Sequence, residues 1–158
     1  MFWLVLMTFA ASLLFIPKAL GSADAAYICA NKYMNVRATI VNSANGASVV
    51  SDYKVSAYAC WDNVDVWAYN SGQPAVTYLS GAGATSYEKG NYLMADGRRD
   101  FWVNFHYSVQ CSTFPFTVSN RNWYPRIKVT DHGSFLFQAG SSDGNPCYTL
   151  TSQILSHN

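Results

Sequence analysis

The chain has 158 residues with a formal net charge of +1, and aromatic residues make up 16% of it. Because positive and negative charges nearly balance, the sequence gives no electrostatic reason to expect a nucleic acid or an anionic membrane surface as the partner. Glu88 is the one glutamate in the whole sequence. We therefore expect aromatic rings and amides, rather than acid–base groups, to form a functional surface.

The chain begins with an apolar leader. Residues 2–16 are apolar apart from Thr8 and Ser12, Pro17 ends the run, and Ala23-Asp24-Ala25 offers a small-x-small cleavage site. The run is shorter than the roughly 20 residues that span a bilayer, so stable membrane insertion is not expected. We predict a signal peptide over 1–25 and a single secreted, extracellular β-domain over 26–158.

Alternation with a period of two dominates the rest of the chain and predicts an all-β fold. The predicted strands are 27–33, 35–42, 48–60, 64–69, 75–79, 91–95, 101–111, 114–118, 123–130, 134–139 and 147–154. Short strands at such close spacing favour an antiparallel β-sandwich, with a small β-barrel as the alternative. The stretch 80–91 contains three glycines and little apolar pattern, so it is predicted to be a mobile loop.

Four cysteines in an exported chain predict a disulfide framework. If Asn45-Gly46 is a two-residue type I′ turn, paired residue numbers sum to 91, which places Cys29 opposite Asp62 and two residues from Cys60. A bulge or a register change would then bring the two cysteines to bonding distance. We therefore predict two bridges, Cys29–Cys60 and Cys111–Cys147.

The strand 101–111 separates an apolar row from a polar row. Phe101, Val103, Phe105, Tyr107 and Val109 are predicted to face the core, and the residues between them to face outward. Sugar rings stack on an exposed indole while amides bond their hydroxyl groups, and such a surface also suits a protein partner. The alternative is a merely solvated row with the indole packed beneath a loop. The predicted ligand-binding residues are Trp102, Asn104, His106, Gln110, Trp123 and Tyr124.

These features predict a secreted binding protein, effector-, toxin- or lectin-like, whose partner is an extracellular glycan or protein. One alternative is a small secreted hydrolase or ribonuclease that uses His106 and Glu88, with His132 and an arginine such as Arg98. Another is a structural component of a coat or matrix. We lean against an enzyme, and the oligomeric state is left open.

No cofactor and no metal are predicted. The stretch Asp62-Asn63-Val64-Asp65 offers hard oxygen ligands, but it lacks the ligand count and the bidentate glutamate of a calcium-binding loop. Aspartate and asparagine in a β-turn explain it without an ion.

Overall fold

A computed structural model describes residues 26–43, 45–110, 118–141 and 148–158. The described residues form nine strands and one short 3₁₀ turn, which confirms the all-β prediction. The elements are β1 Ile28–Asn42, β2 Ser48–Trp61, β3 Val66–Ala68, the 3₁₀ turn Tyr69–Ser71, β4 Ala75–Gly81, β5 Ser86–Leu93, β6 Arg99–Gln110, β7 Val118–Val129, β8 Phe135–Ser141 and β9 Tyr148–His157. None of the helical turns in these ranges is long and apolar enough to cross a bilayer.

The strands form two antiparallel sheets. Sheet A has the order β3-β2-β1-β9, and β4 pairs with β2 along the same edge as β3. Sheet B has the order β5-β6-β7-β8. The sheets share one hydrophobic core and do not close into a single barrel, so the architecture is sandwich-like and the barrel alternative is wrong.

The core forms because alternate residues of the long strands face the opposite sheet. Val36 and Tyr53 come from sheet A, and Phe105 and Trp123 from sheet B; all four are buried. The Tyr53 and Phe105 rings lie 4.3 Å apart between centroids, and Phe105 stacks on Trp123 at 5.0 Å. Aromatic contacts across the two sheets thus fix which face of each strand remains outside.

The β1–β2 hairpin has a different register from the predicted one. Its paired residue numbers sum to 89, so Cys29 lies directly opposite Cys60 and no bulge is needed. The Asn42 amide donates to the Ala47 carbonyl at 2.8 Å, so four residues, not two, separate the paired ends, and Gly46 has φ +70°. The predicted Cys29–Cys60 disulfide is confirmed.

Two strand predictions also change. The segments 27–33 and 35–42 belong to one strand, β1, and β5 begins at Ser86 inside the predicted loop 80–91. β5 pairs along its whole length with β6, and this pairing orders a segment whose own pattern is weak. The predicted strand 114–118, apart from Val118, and both members of the predicted bridge Cys111–Cys147 lie outside the described residues.

Candidate functional site

β6 has the two predicted faces over residues 101–107. Phe101, Val103 and Phe105 are fully buried, whereas Trp102 and Asn104 between them are half-buried on the outer side. Neighbouring strands extend this outer surface, because β5 and β7 flank β6. We call it the sheet B face, formed by Gly90, Trp102, Asn104, His106, Tyr124, Arg126 and Gly140.

Two aromatic rings of the sheet B face lie over glycines of adjacent strands. Trp102 pairs with Gly90, and a Cβ at Gly90 would lie 2.8 Å from the indole Cζ2. Tyr124 pairs with Gly140, and a Cβ there would lie 2.4 Å from the phenol Cε2. The missing side chains let both rings settle close to the backbone, as when an aromatic ring covers a glycine in a neighbouring strand. The rings therefore lie low on the sheet instead of projecting from it.

A partly buried ion pair lies beside Trp102. Asp100 is fully buried, and its Oδ2 accepts hydrogen bonds from Arg126 Nη1 at 2.5 Å and from the Tyr92 hydroxyl at 3.0 Å. Burial alone lowers the pKa of Arg126, but the bond to Tyr92 and the charge of Asp100 outweigh it and raise that pKa. The hydrogen bond to Asp100 fixes Arg126 next to the rings.

A shallow hollow of about 520 Å³ opens beside Tyr124. Its walls include Arg126 and Lys128 of β7, Gln138 of β8 and Ile154 of β9. Aromatic rings, an amide and two cations therefore line one concavity. The hollow extends the sheet B face toward the edge of sheet A.

The structure brings together Trp102, Asn104, His106 and Tyr124 of the predicted residues but not Trp123. Trp123 is 0% exposed and stacks in the core, so its assignment to a ligand surface is wrong. The sequence held the reason, because Trp123 shares strand parity with the apolar Ile127 and Val129. The backbone of Gln110 pairs with β7, and its side chain lies outside the described part of the chain.

Of the residues suggested for acid–base catalysis, Glu88 and His106 lie close together, whereas Arg98 and His132 lie at another end of the sheet. Glu88 pairs with Asn104 and His106 with Ser86, so Glu88 and His106 are diagonal neighbours on one face. Arg98, by contrast, bonds Asp96 in the β5–β6 turn, and His132 lies in the β7–β8 turn at the same end of the sheet. That end is seven residues along β6 from His106, roughly 23 Å at strand spacing.

Metal ligands are not clustered in the part of the chain that the structure describes: no three of its His, Cys, Asp and Glu residues could hold an ion together. In the stretch 62–65 the Asp62 Oδ1 accepts the amides of Val64 and Asp65, at 3.0 and 2.8 Å. These bonds lower the pKa of Asp62. The predicted turn role of this stretch is confirmed.

Sequence reasoning missed a second aromatic surface, on the outer side of sheet A. Tyr27 contacts Trp67 edge-to-face at 5.9 Å, and Tyr58 lies 4.4 Å from Tyr69, both distances between ring centroids. We call it the sheet A face, formed by Tyr27, Tyr58, Trp67 and Tyr69 around the Cys29–Cys60 bridge. The signal was present: Tyr58 shares strand parity with Cys60, as Trp67 does with Tyr69.

The chain matches no protein-family model, and comparison with curated proteins and with solved structures likewise finds no match. Function therefore has to be argued from the geometry of the two faces.

Proposed function

We propose that the chain is a secreted binding protein that recognises an extracellular glycan through the sheet B face. The observation that carries the proposal is the pair of rings, Trp102 and Tyr124, each lying over a glycine on the same outer face. The C–H face of a sugar ring is apolar and weakly positive, so it stacks on the negative face of an aromatic ring. Two low-lying rings offer this contact without steric obstruction.

Polar groups beside the rings would provide orientation and specificity. Asn104 and His106 lie on the same row as Trp102, and Arg126 and Lys128 line the adjoining hollow. Sugar hydroxyls bond amides and charged donors, while the rings hold the apolar faces. The combination supports a ligand that is larger than one sugar unit.

A protein partner is the second candidate, and one observation favours it. Trp102, Tyr124 and Arg126 belong to the three residue types that most often dominate binding energy at protein interfaces. In that case the hollow beside Tyr124 would receive a side chain of the partner.

A glycan array separates these candidates. We expect the wild-type chain to bind a defined set of glycans, and Trp102→Ala and Tyr124→Ala to lose that set. Tyr78→Ala is the matched control, because Tyr78 is an exposed ring on β4 that belongs to neither face. Equal array signals for all four proteins would refute the glycan proposal.

Secretion and a complete two-disulfide β-sandwich belong to the same proposal. The Cys29–Cys60 bridge supports an oxidising destination. We expect non-reducing peptide mapping of the exported protein to recover Cys111 linked to Cys147, with a mature N-terminus at residue 26. Free thiols at both positions, or an uncleaved leader, would contradict this part of the proposal.

A further inference from the structure

The sheet A face groups three exposed rings with the half-buried Trp67. Tyr27 is 63% exposed, Tyr58 42% and Tyr69 40%, although each ring contacts another aromatic ring. Aromatic side chains of a single folded domain are usually more buried than this. Four rings grouped on one sheet face are an exposed patch of the kind that marks an interaction site.

The strands beneath the rings hold them in place. Trp67 pairs with Cys60, and continuing the same register places Tyr69 opposite Tyr58. The Cys29–Cys60 bridge links β1 to β2 below Trp67, so the strands that carry the rings are covalently tied. A surface ordered before binding loses little conformational entropy when a ligand arrives.

The charge of this face selects the chemistry of its occupant. Continuing the β1–β2 register places Asp62 opposite Tyr27, and Asp65 lies two residues from Trp67, whereas the nearest cation on β2, Lys54, sits 4.1 Å from the ring centroid of Tyr33. Asn31, exposed and paired with Tyr58, adds an amide. Rings, an amide and two carboxylates disfavour a polyanion and are complementary to a neutral ligand whose apolar faces stack on the rings and whose hydroxyl groups donate to the carboxylates.

The spacing of the rings determines the length of the ligand. Trp67 is paired with Cys60, and Tyr58 lies two residues from Cys60 along β2, roughly 7 Å at strand spacing. A single sugar unit cannot cover both ring pairs, whereas a chain of sugars can contact them in line. We propose that the sheet A face is a second binding site, for a neutral, extended polysaccharide, on the side of the domain opposite the sheet B face.

Microcrystalline cellulose and chitin are suitable neutral probes, and polygalacturonate is the acidic comparison. We expect the wild-type protein to bind at least one neutral polymer in a pull-down assay. The double variant Tyr58→Ala/Tyr69→Ala should bind it about thirtyfold more weakly, as expected for two interface aromatics. Tyr58→Phe/Tyr69→Phe keeps both rings and should retain binding, and so should Trp102→Ala on the opposite face.

Several results would overturn the proposal. These are no wild-type binding to either neutral polymer, binding to polygalacturonate alone, undiminished binding by the alanine variant, and equal loss in the phenylalanine variant. A homodimer that Tyr58→Ala dissociates would instead make this face a contact between two copies. Persistence of neutral-polymer binding in Trp102→Ala separates this site from the one on the sheet B face.

Tryptophan fluorescence tests the same site if the alanine variant folds poorly. We expect a soluble hexamer of the neutral polymer that the protein binds, β-1,4-linked glucose for cellulose or N-acetylglucosamine for chitin, to change the emission of the wild-type protein. The change should disappear in Trp67→Phe and remain in Trp102→Phe. The reverse assignment, or no change in the wild type, would overturn the proposal.

Discussion

The two outer faces carry aromatic rings in different ways. On the sheet B face, Trp102 and Tyr124 are half-buried because each lies over a glycine of the adjacent strand. On the sheet A face, Trp67 lies opposite Cys60 of the disulfide, and the exposed Tyr58 contacts the ring of Tyr69. A ring paired with a glycine is thus supported by the neighbouring backbone, whereas Tyr58 is supported by another ring.

The ion pairs of the two faces differ in a related way. On sheet A, Arg37 binds both oxygens of Asp52 at 2.7 Å, and the Ser80 hydroxyl adds a further bond at 3.1 Å. On sheet B, the hydrogen bonds from Tyr92 and Arg126 both end on Asp100 Oδ2. The buried Oδ1 has no hydrogen-bond partner among the described protein atoms. A carboxylate with one oxygen unpaired depends more heavily on its single cation.

Removing that cation should give the largest effect. Arg126→Ala would leave the Asp100 carboxylate buried without a counter-charge, and breaking a buried pair in this way typically costs about 3–5 kcal/mol. Urea unfolding at neutral pH measures the free energy of unfolding. Arg37→Ala should cost clearly less, because Asp52 keeps Ser80.

The double variant Arg126→Ala/Asp100→Asn provides the control for that prediction. It removes the buried charge along with the cation, so it should recover part of the lost stability. Equal costs for Arg126→Ala and Arg37→Ala would show that the two faces hold their carboxylates alike.

Removing a ring should affect binding more than stability. Trp102→Ala should weaken glycan binding by about thirtyfold, since interface aromatics commonly contribute 2 kcal/mol or more. Because the indole is half-buried, its loss should cost less stability than Phe105→Ala, which truncates a fully buried ring at about 3–5 kcal/mol. Calorimetry of binding and unfolding checks both. A Trp102→Ala protein as unstable as Phe105→Ala would make the indole a core residue.

Displacing the Trp102 ring without deleting it should give a smaller loss of glycan affinity. In Gly90→Ala the new Cβ would lie 2.8 Å from the Trp102 indole, so the ring has to move away from its position over residue 90. We expect about a tenfold weaker affinity for the glycan. Gly83→Ala is the control, because its Cβ would meet only the Tyr53 hydroxyl at 4.0 Å. Unchanged affinity in Gly90→Ala would mean that the position of the indole is irrelevant to binding.

Local alternation was sufficient to predict the parity of β6 and the fold class. It did not predict the hairpin register, because Asn45-Gly46 fits a two-residue turn as well as a four-residue loop with Gly46 at positive φ. It also missed most of β5, where Glu88, Lys89 and Gly90 are poor strand formers held by long-range pairing with β6.

The sites were harder to predict than the fold. A ring lying over a glycine depends on cross-strand register, which relates Trp102 to Gly90 across the β5–β6 hairpin and is not written in either strand alone. To predict the sheet A face, three strands would have to be aligned correctly from the sequence. One of them is the three-residue β3, which is too short to give a clear periodic signal.

The smallest expected effect is a change in thermal stability at low pH. Hydrogen bonds from Arg37 hold the pKa of Asp52 below its usual value, against the opposing effect of burial. A carboxylate whose folded-state pKa is lowered stabilises the protein above its unfolded-state pKa, near 3.9, and this contribution disappears as the pH falls through the lower folded-state pKa.

Asp52→Asn keeps the shape of the side chain and removes its charge, so it isolates this contribution. At neutral pH we expect the variant to melt about 2 °C below the wild type. The two melting curves should begin to converge below about pH 4 and meet once the pH has passed the lower folded-state pKa, where the folded wild-type carboxylate is also protonated. Thermal melting followed by circular dichroism, at neutral pH and below pH 4, measures the difference between the two proteins. A difference that grows toward low pH would reverse the sign of the linkage and show that the Arg37–Asp52 pair does not favour the ionised carboxylate.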